Sequence, residues 1–96
     1  MQVSGHVTTP LGRKYIHKLC KHFTHRVPAE WDELKGTVHF DMGKCFITAT
    51  NETLTFVCES QTESELNEIL DTVKSHFDRF AHKDPLELNW QENKAD

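Results

Sequence analysis

The feature that most constrains this chain is a change of period. Between Leu34 and Cys58 apolar and polar residues alternate one by one, whereas the segments on either side repeat their apolar residues at helical spacing. Strands of period two carry one apolar face, and such a face needs a covering layer. In 96 residues only the two flanking helical stripes can supply it, because a chain of this length has room for one core. A β/α barrel, at about 250 residues, is excluded. Gly5, Gly12, Gly36 and Gly43 form neither a dinucleotide fingerprint nor a phosphate loop.

Val3, Gly5 and Val7 alternate with polar neighbours as a first strand, and Thr9-Pro10 then supplies an N-cap with proline at the first helical position. Ile16, Leu19, Cys20, Phe23 and Val27 make the inward stripe of that helix, which Pro28 ends. Pro28 to Glu33 reads as a short acidic connector carrying Trp31. A two-residue turn at Met42-Gly43, with glycine at positive φ, sets Phe40 opposite Cys45 and Val38 opposite Ile47. A three-residue turn would set Phe40 opposite Lys44 and reverse the face of Ile47, so the shorter turn is preferred. A second turn at Asn51-Glu52 pairs Ala49 with Leu54, Ile47 with Phe56 and Cys45 with Cys58.

Thr62-Glu63-Ser64-Glu65 is a capping box that opens a second helix. Leu66, Ile69, Leu70, Val73, Phe77 and Phe80 form its stripe, and it is expected to end near Ala81-His82, before Asp84-Pro85. Leu86, Leu88 and Trp90 alternate as a last strand. The expected fold is therefore an α+β two-layer sandwich, β-α-β-β-β-α-β, with a mainly antiparallel sheet and both helices on one face. Residues 1–92 form one domain and 93–96 a frayed tail. The uncovered sheet face should display His6, Thr8, Thr37, His39, Phe46, Thr48, Thr55, Val57, Glu87 and Asn89, a solvated surface or a homodimer interface.

The 15 acidic residues against 11 basic ones give a net charge of −4, which argues against a nucleic-acid partner. The exception is the stretch from Arg13 to Arg26, with five Lys/Arg and no acid, which suits an anionic ligand or an acidic partner. No apolar run reaches the about 18 residues of a membrane span, and Met1-Gln2-Val3-Ser4 does not begin like a signal peptide. A cytoplasmic protein with its three cysteines as thiols is expected, either a monomer or a homodimer.

Two constellations bear on chemistry. His22 and His25, three apart on the first helix, can start a zinc or iron site, although Lys18, Lys21 and Arg26 beside them oppose a cation and Cys20 points elsewhere on the helical wheel. Cys20, Cys45 and Cys58 converge on one layer, as a thiolate metal site, a redox set or buried apolar packing. His76, Arg79, His82 and Lys83 gather where cations interact well with a helix C-terminus. No catalytic residue emerges.

The segments Leu19-Cys20-Lys21-His22-Phe23-Thr24-His25-Arg26, Gly43-Lys44-Cys45-Phe46-Ile47-Thr48-Ala49 and Arg79-Phe80-Ala81-His82-Lys83-Asp84-Pro85-Leu86, with Trp90, resemble the bacterial domain-of-unknown-function family DUF2218. The likeness runs from Val3 to Trp90; it has Arg26 where that family usually has lysine, and Cys58 is not a residue associated with it. Similar domains are fused to flavin-dependent siderophore-interacting reductases, so the resemblance implies a siderophore or iron setting. Together these readings give a non-catalytic binding or accessory domain that meets an anion, such as a ferric siderophore, or a siderophore-interacting flavin reductase. Its candidate ligand-binding residues are Lys18, Lys21, His22, His25 and Arg26. The alternative is a metal-binding or thiol-redox protein with Cys20, His22, His25 and Cys45 as ligands; a third reading is an interaction module that dimerises through the open sheet face.

Overall fold

In the computed structural model, which describes residues 1–81 and 86–92, strand β1 (Gln2–Thr8) leads into helix α1 (Gly12–Phe23). Strands β2 (Ala29–Trp31), β3 (Lys35–Phe40), β4 (Gly43–Ala49) and β5 (Thr53–Ser60) follow, then helix α2 (Glu63–Phe80) and strand β6 (Asn89–Glu92). The six strands form one antiparallel sheet in the order β2-β3-β4-β5-β1-β6, with both helices packed on one face. This is the α+β sandwich expected from the change of period, with one strand more. No helix among the described residues is long and apolar enough to cross a membrane. His82, Lys83, Asp84, Pro85 and the 93–96 tail lie outside the described residues.

The core is the covered face of β3, β4 and β5. Ile47 stands opposite Phe56, Cys45 opposite Cys58 and Ala49 opposite Leu54, the register set by the two-residue Asn51-Glu52 turn. Phe77 of α2 meets Phe56 edge-on at 5.7 Å and Tyr15 of α1 at 5.2 Å, so one aromatic ring joins both helices to the sheet. Such edge contacts add about 0.5–1.5 kcal/mol each beyond the area they bury.

Four details differ from expectation. The β3–β4 turn is Asp41-Met42, so Phe40 faces Gly43 and Val38 faces Cys45. The slip is two residues, which preserves which side chains face the core. Gly43 is not at positive φ; it is glycine because a Cβ there would collide with the Glu59 carbonyl oxygen of β5. Helix α1 begins at Gly12 rather than Pro10, and the Thr9 hydroxyl accepts the Leu11 N–H in the turn before it. The connector after Pro28 contains β2, paired antiparallel with β3, which puts exposed Glu30 beside His39 on the open face, at 2.6 Å. Glu87 precedes β6 and so is not a strand residue of that face.

The capping box also forms with a variation. Thr62 Oγ1 accepts the Glu65 N–H at 3.1 Å, while the Glu65 carboxylate takes the Thr62 hydroxyl at 2.9 Å instead of a backbone donor. At the far edge, Gly5 lets the last segment close down. A Cβ there would lie 2.7 Å from both Leu88 Cδ1 and Trp90 Cε3.

These contacts rank three substitutions. In urea denaturation, Phe56→Ala should lose about 3–5 kcal/mol, Gly43→Ala about 1–3 kcal/mol through the backbone collision, and Thr62→Ala about 1 kcal/mol. A neutral Gly43→Ala would contradict the close approach of β5.

Candidate functional site

Helix α1 divides its circumference sharply. Gly12, Tyr15, Ile16, Leu19, Cys20 and Phe23 are buried, and Arg13, Lys14, His17, Lys18 and Lys21 are exposed. At 100° per residue the exposed set spans one side of the helix, so its cations form a stripe. His22 lies at one margin of that stripe, against α2; Arg13 and His17 lie at the other, against the segment that carries Trp31.

The helix ends one residue after His22. Thr24 caps it, with its hydroxyl donating to the Lys21 carbonyl oxygen at 2.6 Å, and His25 and Arg26 sit in the turn that follows. His25 is therefore not on the helical face it was expected to share with His22. The imidazole that His22 meets belongs to His76, with ring centroids 4.9 Å apart. Phe80 lies edge-on to His22 at 5.6 Å and Phe23 lies 5.0 Å from His76, so the pair is set in an aromatic joint between the helices.

His76 is oriented by its own helix. Its Nδ1–H donates to the Thr72 carbonyl oxygen at 2.7 Å, which leaves Nε2 without the proton in the neutral ring. The His22 imidazole is held below its ordinary range by burial first, and then by four charged groups: His76, His25, Arg79 and Arg26. All four are of one sign. Basic groups from α2 and from the turn after α1 thus act on a half-buried imidazole, in a protein whose net charge is −4.

The other sequence candidates are placed differently. Lys18 and Lys21 are exposed on the stripe, and Lys18 borders the hollow beside Trp31. Cys20, Cys45 and Cys58 are all buried in the core. Cys45 and Cys58 share a thiol–thiol hydrogen bond at 3.2 Å, and that contact, together with burial, raises the Cys45 pKa well above its usual value. Burial, with a smaller contribution from Glu30, pushes the Cys20 thiol up to about 11. Metal ligation and thiol exchange both need the thiolate. Among the described residues no group of three or more His, Cys, Asp or Glu side chains is placed to hold a metal ion. The proposed set of Cys20, His22, His25 and Cys45 is split between core and surface.

Among the described residues, two of the hollows bear on the site. The larger, about 710 Å³, lies at the β3–β4 turn and mixes Asp41, Glu59 and Glu65 with Lys44. The smaller, about 540 Å³, runs between α1 and Trp31 and has Lys14 and Lys18 on its wall. Volume alone favours the first, whereas the charge pattern favours the cationic side of α1.

A family of uncharacterised proteins conserved in bacteria, DUF2218, matches residues 4–91. The chain belongs to that family. As a DUF2218 member it is similar to PA4090 from Pseudomonas aeruginosa, whose structure was determined by NMR. The identity is 26% and the TM-score 0.81, over 98% of each chain. No curated protein matches the chain. DUF2218 membership thus fixes the fold and brings no assigned activity with it.

Sequence reasoning placed His22 and Arg26 in the site but assigned His76 and Arg79 to the end of α2. Only tertiary packing brings them to His22; the sequence cue, His76 three residues beyond buried Val73, marks a partly inward position and names no partner.

Two outcomes follow. In the unfolded chain His22 titrates near 6.5 and in the folded protein lower, so the unfolded state takes up the proton first. Stability should therefore fall as pH drops through 6.5 towards the folded value, and His22→Gln should flatten that part of the curve measured by urea denaturation. A thiol reagent should label Cys20 and Cys45 only as fast as the protein opens; rapid labelling of the native protein would contradict their burial.

Proposed function

We propose that this protein is a non-catalytic binding module that receives an anionic ligand at the joint of α1 and α2. His22, His25 and Arg26 approach it from the end of α1 and the turn after it, with exposed Lys21 next to His22 in the chain, and His76 and Arg79 approach it from α2. The observation that carries this reading is that His22 packs against His76 with ring centroids 4.9 Å apart, and that the groups of the described residues whose charge lowers its pKa, His76, His25, Arg79 and Arg26, are all basic. Like charges held together raise each other's energy, and an anion placed among them relieves that repulsion. The same anion favours the protonated imidazole, so binding draws a proton onto His22 as pH falls toward its range.

The ligand class we favour is a ferric siderophore, whose complexes are often anionic. A siderophore-interacting flavin reductase is the partner that such a setting suggests. Support for both comes from the charge sign of the joint and from the fusions of similar domains. No bond is made or broken in this role; the cations orient and retain the complex.

High-spin ferric iron broadens nearby NMR signals, so titration with a ferric siderophore should erase the signals of Lys21, His22, His25 and His76 first. Added salt should weaken the effect, and His22→Gln or Arg79→Gln should weaken it about three- to tenfold. Citrate and inorganic phosphate serve as iron-free anions. Perturbation by these alone would keep the anion site and remove the siderophore. Broadening centred on Thr48 and His6 of the open sheet face would overturn the assignment of the joint.

A further inference from the structure

The hollow between α1 and β2 offers a chemistry that the helix joint lacks. Trp31 ends edge strand β2 half-buried, and its indole Nε1–H donates to His17 Nδ1 at 3.3 Å. The rings meet edge-on at 6.0 Å and 75°. Because Nδ1 accepts, the neutral His17 ring carries its proton on Nε2, leaving that N–H as a donor. Lys14 and Lys18, one helical turn apart, stand on the same wall as His17.

The charges of this hollow are unevenly compensated. The Asp32 carboxylate accepts the Leu34 and Lys35 N–H groups, both at 2.9 Å, and those two bonds hold its carboxyl below the usual carboxylate range. Asp32 therefore shapes the turn into β3. Glu33 lies 3.8 Å from Arg13, a loose pair across the mouth. Lys14 and Lys18 have no ion-pair partner among the described residues. An aromatic ring, two ammonium groups with no ion-pair partner among the described residues and an imidazole N–H thus border one hollow of about 540 Å³, which Asp32 and Glu33 also line, within the range of small-molecule sites.

We propose that this hollow is a binding site for a small aromatic anion, whose ring packs on Trp31 and whose carboxylate or phosphate meets Lys14, Lys18 and His17 Nε2–H. The two halves of the recognition act together. Trp31 supplies area for a flat apolar body but no charge, and the lysines supply charge but little shape. A neutral aromatic or a non-aromatic anion satisfies only one half. The site stands apart from the helix joint, since neither Trp31 nor Lys14 takes part there.

The test is an NMR titration of the full chain with 2-naphthoate, following the Trp31 indole N–H signal. Cyclohexanecarboxylate and 2-naphthalenemethanol serve as the non-aromatic anion and the neutral aromatic. Saturable movement of the Trp31 signal is expected with naphthoate, at an affinity at least about tenfold above either comparator. The exposed double substitution Lys14→Ala with Lys18→Ala should remove about tenfold of the naphthoate affinity while the spectrum stays folded. Lys44→Ala, which removes a positive charge beside the β3–β4 turn, should leave the naphthoate response at Trp31 unchanged, which separates this site from a general effect of charge. Three results would overturn the proposal: no saturable shift at Trp31, equal affinity for naphthoate and naphthalenemethanol, or undiminished binding by the double-lysine variant.

Discussion

Burial of a single sheet face, centred on Ile47 opposite Phe56, is the constraint on which the rest of this structure depends. Two helices have to lie on that one face, and Phe77 touches both Phe56 and Tyr15, so their positions on the sheet are linked. Once the helices share the face, their margins must meet. The margin of α1 at His22 then falls against His76 and Phe80 of α2. A joint rich in imidazole and guanidinium groups is thus a consequence of how a hydrophobic layer is covered, with its chemistry set by which residues occupy the margins.

The distribution of charge is the second consequence. Acidic residues outnumber basic ones in the whole chain, yet the exposed side of α1 carries Arg13, Lys14, Lys18 and Lys21, and the turn after it Arg26. A cationic strip on an otherwise acidic protein has a local potential opposite in sign to its net charge. The aromatic rings at the two margins differ. Phe23 and Phe80 enclose the imidazole pair on one side, while half-buried Trp31 borders an open hollow on the other.

Much of this layout is legible in the residues themselves. The parity of Cys45, Ile47 and Ala49 against Leu54, Phe56 and Cys58 follows from a two-residue turn and holds in the structure. The neighbouring hairpin shows the limit: the expected Met42-Gly43 turn and the observed Asp41-Met42 turn both keep Val38 and Phe40 on the core face, so patterning cannot choose between them. In the structure Gly43 pairs with Ser60 of β5 against the Glu59 carbonyl oxygen, a contact that the alternation of β3 and β4 does not carry. Strand β2 escaped notice because three residues with charged Glu30 at their centre carry no measurable period. The sequence marks His76 and Arg79 only as the end of a helix, because helix-to-helix register is a property of packing. The cysteines, conversely, are visible as a cross-strand pair, and what the structure adds is that all three are buried.

The central claim is that the α1–α2 joint binds anions with proton uptake. Calorimetric titration of the protein with inorganic phosphate near pH 6, repeated in buffers of different ionisation enthalpy, measures the protons taken up on binding. The account predicts net uptake that shrinks in His22→Gln and falls away as pH rises above the imidazole range. Phosphate binding with no proton uptake in any buffer, or uptake that persists undiminished in His22→Gln, would contradict it.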